Sequence, residues 1–264
     1  MMFMAYPQPS DGFEWTQAPW GAVLRCRPLL GVADHFFTAR DLQLREDERE
    51  WGAVAHQIGV DAARLLLIRQ VHRADVAVAR AGRPAAWLRP EADVIVSDDP
   101  ASAIGVRVAD CAPILLADSR LRAVGAAHAG WRGTVHGAAA AAVRAMQETF
   151  GSAPADLVAA IGPCLGPCCG EIGPEVVEAF RAAGHSPDAL SRWVSPGASD
   201  RSSLDLARAN RDQLEAAGVS ASRIHVAGLC TKSHTGVLHS YRSDKEKAGR
   251  MVGVIRPNEL LIGH

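Results

Sequence analysis

The sequence predicts a mixed α/β (α+β) fold in a single domain, built on a largely antiparallel or mixed sheet. Many short apolar segments follow one another before the first long helix, the helical segments gather in the second half, and no dinucleotide or phosphate-loop glycine pattern accompanies any strand. A parallel doubly wound sheet would interleave helices with those strands.

At 264 residues the chain is long enough for a well-buried core. Residues 1–18, rich in Pro, Ser and Gly, are expected to be a loosely ordered leader, with the domain over 19–264. Segments 22–26 and 35–38 read as strands, the second delivering Arg40 to its end. Segment 45–58 reads as a helix: acids come early, Trp51, Val54, Ala55 and Ile58 recur at helical spacing, and Gly59 closes it. The run 63–72 is an apolar strand ending in Gln70, Val71 and His72. Residues 83–90 read as a surface turn between strands at 75–79 and 93–97, after which strands at 104–108, 114–117 and 124–127 follow closely. Thr134 is expected to cap an Ala-rich helix over 135–150 that Gly151 ends. Then come a strand at 157–161, a cysteine-rich turn, a helix at 174–183, a polar gap, an exposed loop at 197–203, a helix at 204–217, and strands at 224–227 and 251–255.

A formal net charge of -1 and the lack of a basic run give no electrostatic reason to expect nucleic acid or a membrane surface as partner. No apolar run approaches the ~18 residues of a membrane span. The N-terminal stretch lacks a basic region followed by an apolar core, so a cytoplasmic, monomeric protein acting on small molecules is expected. Its six cysteines are then expected to be mostly reduced.

Three potential metal ligands, His72, Cys111 and His128, each follow a strand-like segment, and none is paired in close spacing. Two imidazoles and one thiolate fit an open catalytic zinc site better than a closed structural one, which takes four protein ligands. Cys111 and His128 alone also permit a thiol nucleophile with an imidazole base, which leaves His72 without a role. A third reading makes these scattered side chains ordinary loop and core residues. Cys164, Cys168 and Cys169 fall in a turn-rich loop whose glycines and prolines serve backbone geometry as readily as a metal or redox centre. Cys230, His234 and His136 are expected to be packing or solvated residues. Trp131 lies between glycines, beside Arg132, and can line a ligand.

The ordered set HFFTAR, RQVH, ADVIVSD, VADCAPILLAD, GAAHAGWRGT, IGPCLGPCCGEIG, LDLARANRDQL and HSYRSDKEKAGR resembles the laccase-domain family, whose members are called multicopper polyphenol oxidases or peptidoglycan editing factors and are also assigned purine nucleoside activity. The resemblance spans roughly residues 35 to 255. It implies a four-layer α-β-β-α sandwich and a zinc ion held by His72, Cys111 and His128. It also implies phosphorolysis of adenosine, inosine, guanosine and methylthioadenosine, with adenosine deamination at the same site. On that reading Arg40, Arg132 and Arg242 bind or orient phosphate, Gln70 orients His72 or touches substrate, and Asp110, beside Cys111, supports the metal or handles a proton. Between Arg40 and Ile58 the chain is shorter than the family pattern, so part of the nucleoside or phosphate pocket is expected to differ. Copper-dependent phenol oxidation, a Cys-His hydrolase and a non-catalytic zinc-containing nucleoside-binding module are the alternatives.

Overall fold

A computed structural model describes residues 6–82, 87–197 and 200–258. The expected surface turn at 83–90 therefore lies partly outside the described residues, as do the first residues of the expected leader and the middle of the 197–203 loop.

The chain opens with β1 (Phe13–Ala18), β2 (Gly21–Cys26), the short helix α1 (Arg27–Leu30) and β3 (Ala33–Thr38). Helix α2 (Glu48–Ile58) follows, started by the Asp47 side chain accepting from the Arg49 amide and ended by Gly59 at φ 82°. Strands β4 (Leu65–Leu67), β5 (Val76–Ala79), β6 (Val94–Ser97), β7 (Ala103–Val108), β8 (Ala112–Asp118) and β9 (Val124–Ala129) come next. Helices α3 (Trp131–Val135) and α4 (Ala138–Phe150), β10 (Leu157–Ile161), β11 (Glu171–Ile172), α5 (Pro174–Ala182) and α6 (Pro187–Trp193) follow. The chain closes with β12 (Val194–Pro196), β13 (Ser202–Leu204), α7 (Leu206–Ala216), β14 (Ile224–Val226), α8 (Tyr241–Asp244) and β15 (Met251–Pro257).

Two six-stranded mixed sheets result, in the orders β1-β2-β3-β15-β7-β4 and β14-β10-β8-β9-β6-β5. Alternation along each strand sends one set of side chains between the sheets and the other outward. Leu24, Phe37, Val106, Leu115, Ala126 and Ile255 fill the layer between the sheets. On the outer face of the first sheet, Val54 and Ile58 of α2 pack on Val23, Phe36 and Val254. On the outer face of the second, α4 and α7 cover Val94, Ile114 and Ala127. The layers are thus α-β-β-α. Ala138, Ala139 and Ala142 are fully buried, so α4 lies close to the sheet because its contact face is nearly all alanine.

Several local expectations change. Residues 13–18 were expected in the loose leader but form β1, antiparallel to β2 from Phe13↔Cys26 to Ala18↔Gly21. The helix expected at 135–150 is broken at His136 and Gly137, where Gly137 takes φ 75°. Thr134 is not its cap. It lies buried inside α3, its hydroxyl donates to the Gly130 carbonyl at 2.9 Å, and it accepts from Asn210 Nδ2 at 3.0 Å. Gln213 Nε2 donates to the Thr134 carbonyl at 2.7 Å, so α7 holds α3 in place through two buried amides. The polar gap contains α6, started by Ser186 accepting from the Ala189 amide and by Pro187 in the first turn. The loop expected at 197–203 ends in β13, which pairs with β11 and β12.

Candidate metal centre and active site

The register of the second sheet builds the site. Strand β9 pairs with β8 so that Pro113 faces His128, and with β6 so that Val94 faces Ala127. His128 is therefore inside β9 rather than beyond it, and alternation puts its ring on the same face as Val124 and Ala126, at one end of the layer between the sheets. Asp93, immediately before β6, is brought alongside: its carbonyl accepts from the His128 amide at 2.8 Å and its Oδ1 meets His128 Nδ1 at 2.7 Å. Cys111 occupies the tight turn between β7 and β8, with Asp110 at φ 85°. His72 sits on the loop after β4, at φ 61°. Two non-glycine residues in the left-handed region, at or next to a ligand position, mark backbone strain concentrated at the site.

The ligand atoms of His72, Cys111 and His128 lie within 4.8 Å of one another, and the two imidazole rings are 4.9 Å apart at 61°. With Nδ1 occupied by Asp93, His128 presents Nε2 to the centre, the carboxylate–histidine arrangement that orients a metal-binding imidazole. Asp93 does more than this. Its Oδ1 also accepts from the His72 amide at 3.0 Å, and Oδ2 accepts from Val71 at 3.1 Å and Arg73 at 2.6 Å. One fully buried carboxylate thus fixes the ring of one ligand and the backbone of another. Burial works to raise its pKa, but the His128 and backbone hydrogen bonds outweigh it and hold it below the ordinary carboxylate value.

Burial also works to raise the Cys111 thiol, but the facing charge and hydrogen bonds of His128, then those of His72, bring it down to about 6. Burial works against charge on His128, and Cys111 together with Asp93 raises it to about 9. Thiolate and imidazolium stabilise each other, a soft anionic donor beside an imidazole. Gly130 leaves room for the set. A Cβ there would stand 2.7 Å from Cys111 Sγ and 3.4 Å from His72 Nδ1. Gly133 lets the following turn pass, because its Cβ would stand 3.1 Å from the His128 carbonyl and 3.3 Å from that of Arg73. The donor set, its buried carboxylate brace and the cleared space all fit a metal ion with an open position. Gly130→Ala is accordingly expected to weaken metal binding by about tenfold or more while the fold persists, checked by competitive chelator titration.

These donors line a cavity of about 830 Å³, within the range of small-molecule sites. Arg45, Arg107, Arg132 and Arg250 line it, opposed by Glu46 and Glu246, with Trp131 and Tyr241 as aromatic walls. Leu44, Arg45 and Glu46 belong to the shortened segment, so that segment still supplies part of the wall. Burial, with Arg89 beside it, holds the Arg107 guanidinium below its ordinary pKa, and nearby Glu46 partly offsets this. The Arg132 guanidinium stands over the Trp131 ring at 4.1 Å.

Of the residues singled out by sequence, His72, Cys111, His128, Gln70 and Arg132 line this cavity. Gln70 spends its amide on the backbone: Nε2 donates to the Arg107 carbonyl at 2.7 Å and Oε1 accepts from the Arg107 amide at 2.9 Å. It positions the loop leading to His72. Asp110 accepts from the Thr231 hydroxyl at 2.6 Å and the Arg242 amide at 2.5 Å, so its carboxylate braces the Cys111 turn. Arg242 lines a smaller neighbouring pocket and donates to the Glu171 carbonyl at 3.0 Å. Arg40 is outside both pockets, paired with Asp244 at 2.9 Å and donating to the Thr235 carbonyl at 2.9 Å. His136 is exposed at the end of α3, apart from the ligand set.

A cavity in a two-sheet sandwich, lined by two imidazoles, a thiol and arginines, has the donor set of a candidate metal centre. The chain belongs to the multi-copper polyphenol oxidoreductase laccase family, whose pattern matches residues 44–258. It is 36% identical over 214 residues to the purine nucleoside phosphorylase YlmD of Geobacillus stearothermophilus, covering 78% of this chain and 77% of that protein. It is 35% identical over 210 residues to adenosine deaminase RL5 from an unknown prokaryotic organism, covering 77% of this chain and 79% of that one. The crystal structure of the hypothetical protein YfiH of Bacillus licheniformis superposes with a TM-score of 0.82 at 26% identity, covering 94% of this chain and all of that one. Among the described residues, no helix is long and apolar enough to cross a membrane.

Proposed function

We propose that the protein is a zinc-dependent purine nucleoside phosphorylase, acting on adenosine, inosine, guanosine and methylthioadenosine, with adenosine deamination at the same site. The observation that carries this reading is the convergence of His72, Cys111 and His128 on the wall of a cavity also lined by four arginines. Relatives named for both activities support it.

His72, Cys111 and His128 Nε2 would hold the ion, and Asp93 keeps the His128 ring turned for it. When bound, the ion supplies a Lewis acid on the cavity wall. Arg107 and Arg132 are the phosphate-holding residues on this reading, because both line the cavity and, among the described residues, no backbone carbonyl accepts from the Arg107 guanidinium as those of Thr235 and Glu171 accept from Arg40 and Arg242. The phosphate they hold attacks the ribose C1′ as the bond to the purine nitrogen breaks, and their positive charge keeps the anion in place as C1′ becomes cationic. Trp131 and Tyr241 flank the base. In deamination a water oxygen adds at purine C6 and ammonia leaves, with the nucleoside held by the same walls.

Copper-dependent phenol oxidation by a multicopper route needs several copper centres. Among the described residues only one candidate ligand group contains histidine. Incubation of metal-quantified protein with adenosine, with and without phosphate, tests the proposal. Adenine release that requires phosphate is expected, together with slower inosine formation. A panel of purine nucleosides left unchanged in both conditions overturns it.

A further inference from the structure

We propose that Cys168, Cys169 and Cys230 form a second metal site, for a thiophilic divalent ion of the zinc class, separate from the His72–Cys111–His128 centre. The three sulfurs lie within 4.8 Å of one another. They come from two loops far apart in sequence, the turn after β10 and the turn after β14, and all three are free thiols. In a tetrahedral thiolate site with metal–sulfur bonds of about 2.3 Å the sulfurs stand about 3.8 Å apart, so the cluster needs to contract by about 1 Å at most. A fourth donor already faces it: the Ser233 hydroxyl is 3.3 Å from Cys168 Sγ and 3.5 Å from Cys169 Sγ. Cys230 and Ser233 are separated by two residues, the spacing by which a short turn offers two ligands to one ion.

The backbone holds the two loops together before any ion arrives. The Cys164 amide donates to the Leu229 carbonyl at 3.2 Å, and the Thr231 amide donates to the Cys164 carbonyl at 3.0 Å. Gly166 clears the space beside the sulfurs, since a Cβ there would stand 3.1 Å from Cys230 Cβ and 3.6 Å from the sulfurs of both Cys168 and Cys230. Cys168 is exposed while Cys230 is buried, so the cluster has an entry side and an enclosed side. On binding, each thiol gives its proton to solvent, and the ion gains three sulfur bonds and the Ser233 oxygen or a water. Thr231 and Arg242, at the edge of the cluster, are the residues that brace Asp110 beside Cys111. Occupancy would therefore stiffen the turn that carries the first site's thiolate.

Cobalt(II) is the probe, added to the reduced full-length chain and read by its thiolate charge-transfer absorption. The His72→Ala/His128→Ala double variant, with the first site disabled, is expected to bind one cobalt ion with a strong thiolate band. Adding Cys168→Ser and Cys169→Ser should weaken this binding about a hundredfold or more, and Ser233→Cys should strengthen it about tenfold or more by completing a four-sulfur set. In the otherwise unaltered chain, Cys168→Ser/Cys169→Ser should lower bound cobalt from two ions to one, a readout that does not depend on the histidine variant folding. The proposal is overturned if the unaltered reduced chain binds a single ion whose amount and spectrum ignore both cysteine substitutions. It is equally overturned if the three thiols are found as a disulfide and a free thiol that take up no ion after reduction.

Discussion

Cys111→Ala and His128→Ala are each expected to remove nearly all bound zinc and to lower nucleoside turnover by about a thousandfold or more. A site with three protein donors has no spare ligand, so loss of one leaves two donors and an ion exchanging freely with solvent. The two substitutions differ in what they leave behind. Without Cys111 the centre loses its anionic donor, and the larger of the two influences that raise His128 is gone, leaving Asp93 alone. Without His128 the Asp93 carboxylate loses its imidazole partner and remains fully buried with only backbone donors. His136→Ala serves as the control, since that side chain is exposed beyond α3 and zinc content and turnover should stay at the level of the unaltered chain. Parallel metal analysis and turnover on folded variants check these outcomes.

Asp93→Asn is expected to lower zinc affinity by about 10- to 100-fold and stability by about 3 kcal/mol, although Asp93 never touches the ion. Both carboxylate oxygens accept two hydrogen bonds each. If the asparagine carbonyl keeps the position facing His128 and His72, its amide is left pointing at the Val71 and Arg73 amides, donor against donor in a buried place. The stability cost follows from those unmet donors and the affinity loss from the loosened His72 loop. Urea unfolding and competitive zinc titration measure the two effects separately.

How far the sequence carried these residues depended on what kind of contact defines each one. His72, Cys111 and His128 were legible because donor side chains stand next to apolar strand segments, and the family resemblance joined them into one set. Asp93 was not, because as the first residue of an expected strand in ADVIVSD it has no local sign of a partner, and only the pairing of β6 with β9 places it beside His128. Gln70 and Asp110 act by positioning: Gln70 is held by the Arg107 backbone, and Asp110 by the Thr231 hydroxyl and the Arg242 amide, partners distant in sequence. Arg40 and Arg242 had the right charge in matching motifs, whereas Arg45 and Arg107 reach the cavity from outside those motifs and Arg250 from the last position of HSYRSDKEKAGR. Strand β1 was hidden by its Pro- and Gly-containing surroundings, although Phe13 and Ala18 bury at its ends against the sheet. The four-layer order followed from the resemblance, since strand periodicity does not say which of two sheets a strand joins.

The most direct test is His72→Ala, assayed for fold, zinc and phosphate-dependent adenine release on the same preparation. A three-donor centre predicts native circular dichroism, little bound zinc and turnover lost to the same degree as in Cys111→Ala. A nucleophilic Cys111–His128 pair has no use for His72, so folded His72→Ala protein that keeps its activity, with zinc absent from the unaltered chain as well, would contradict the account.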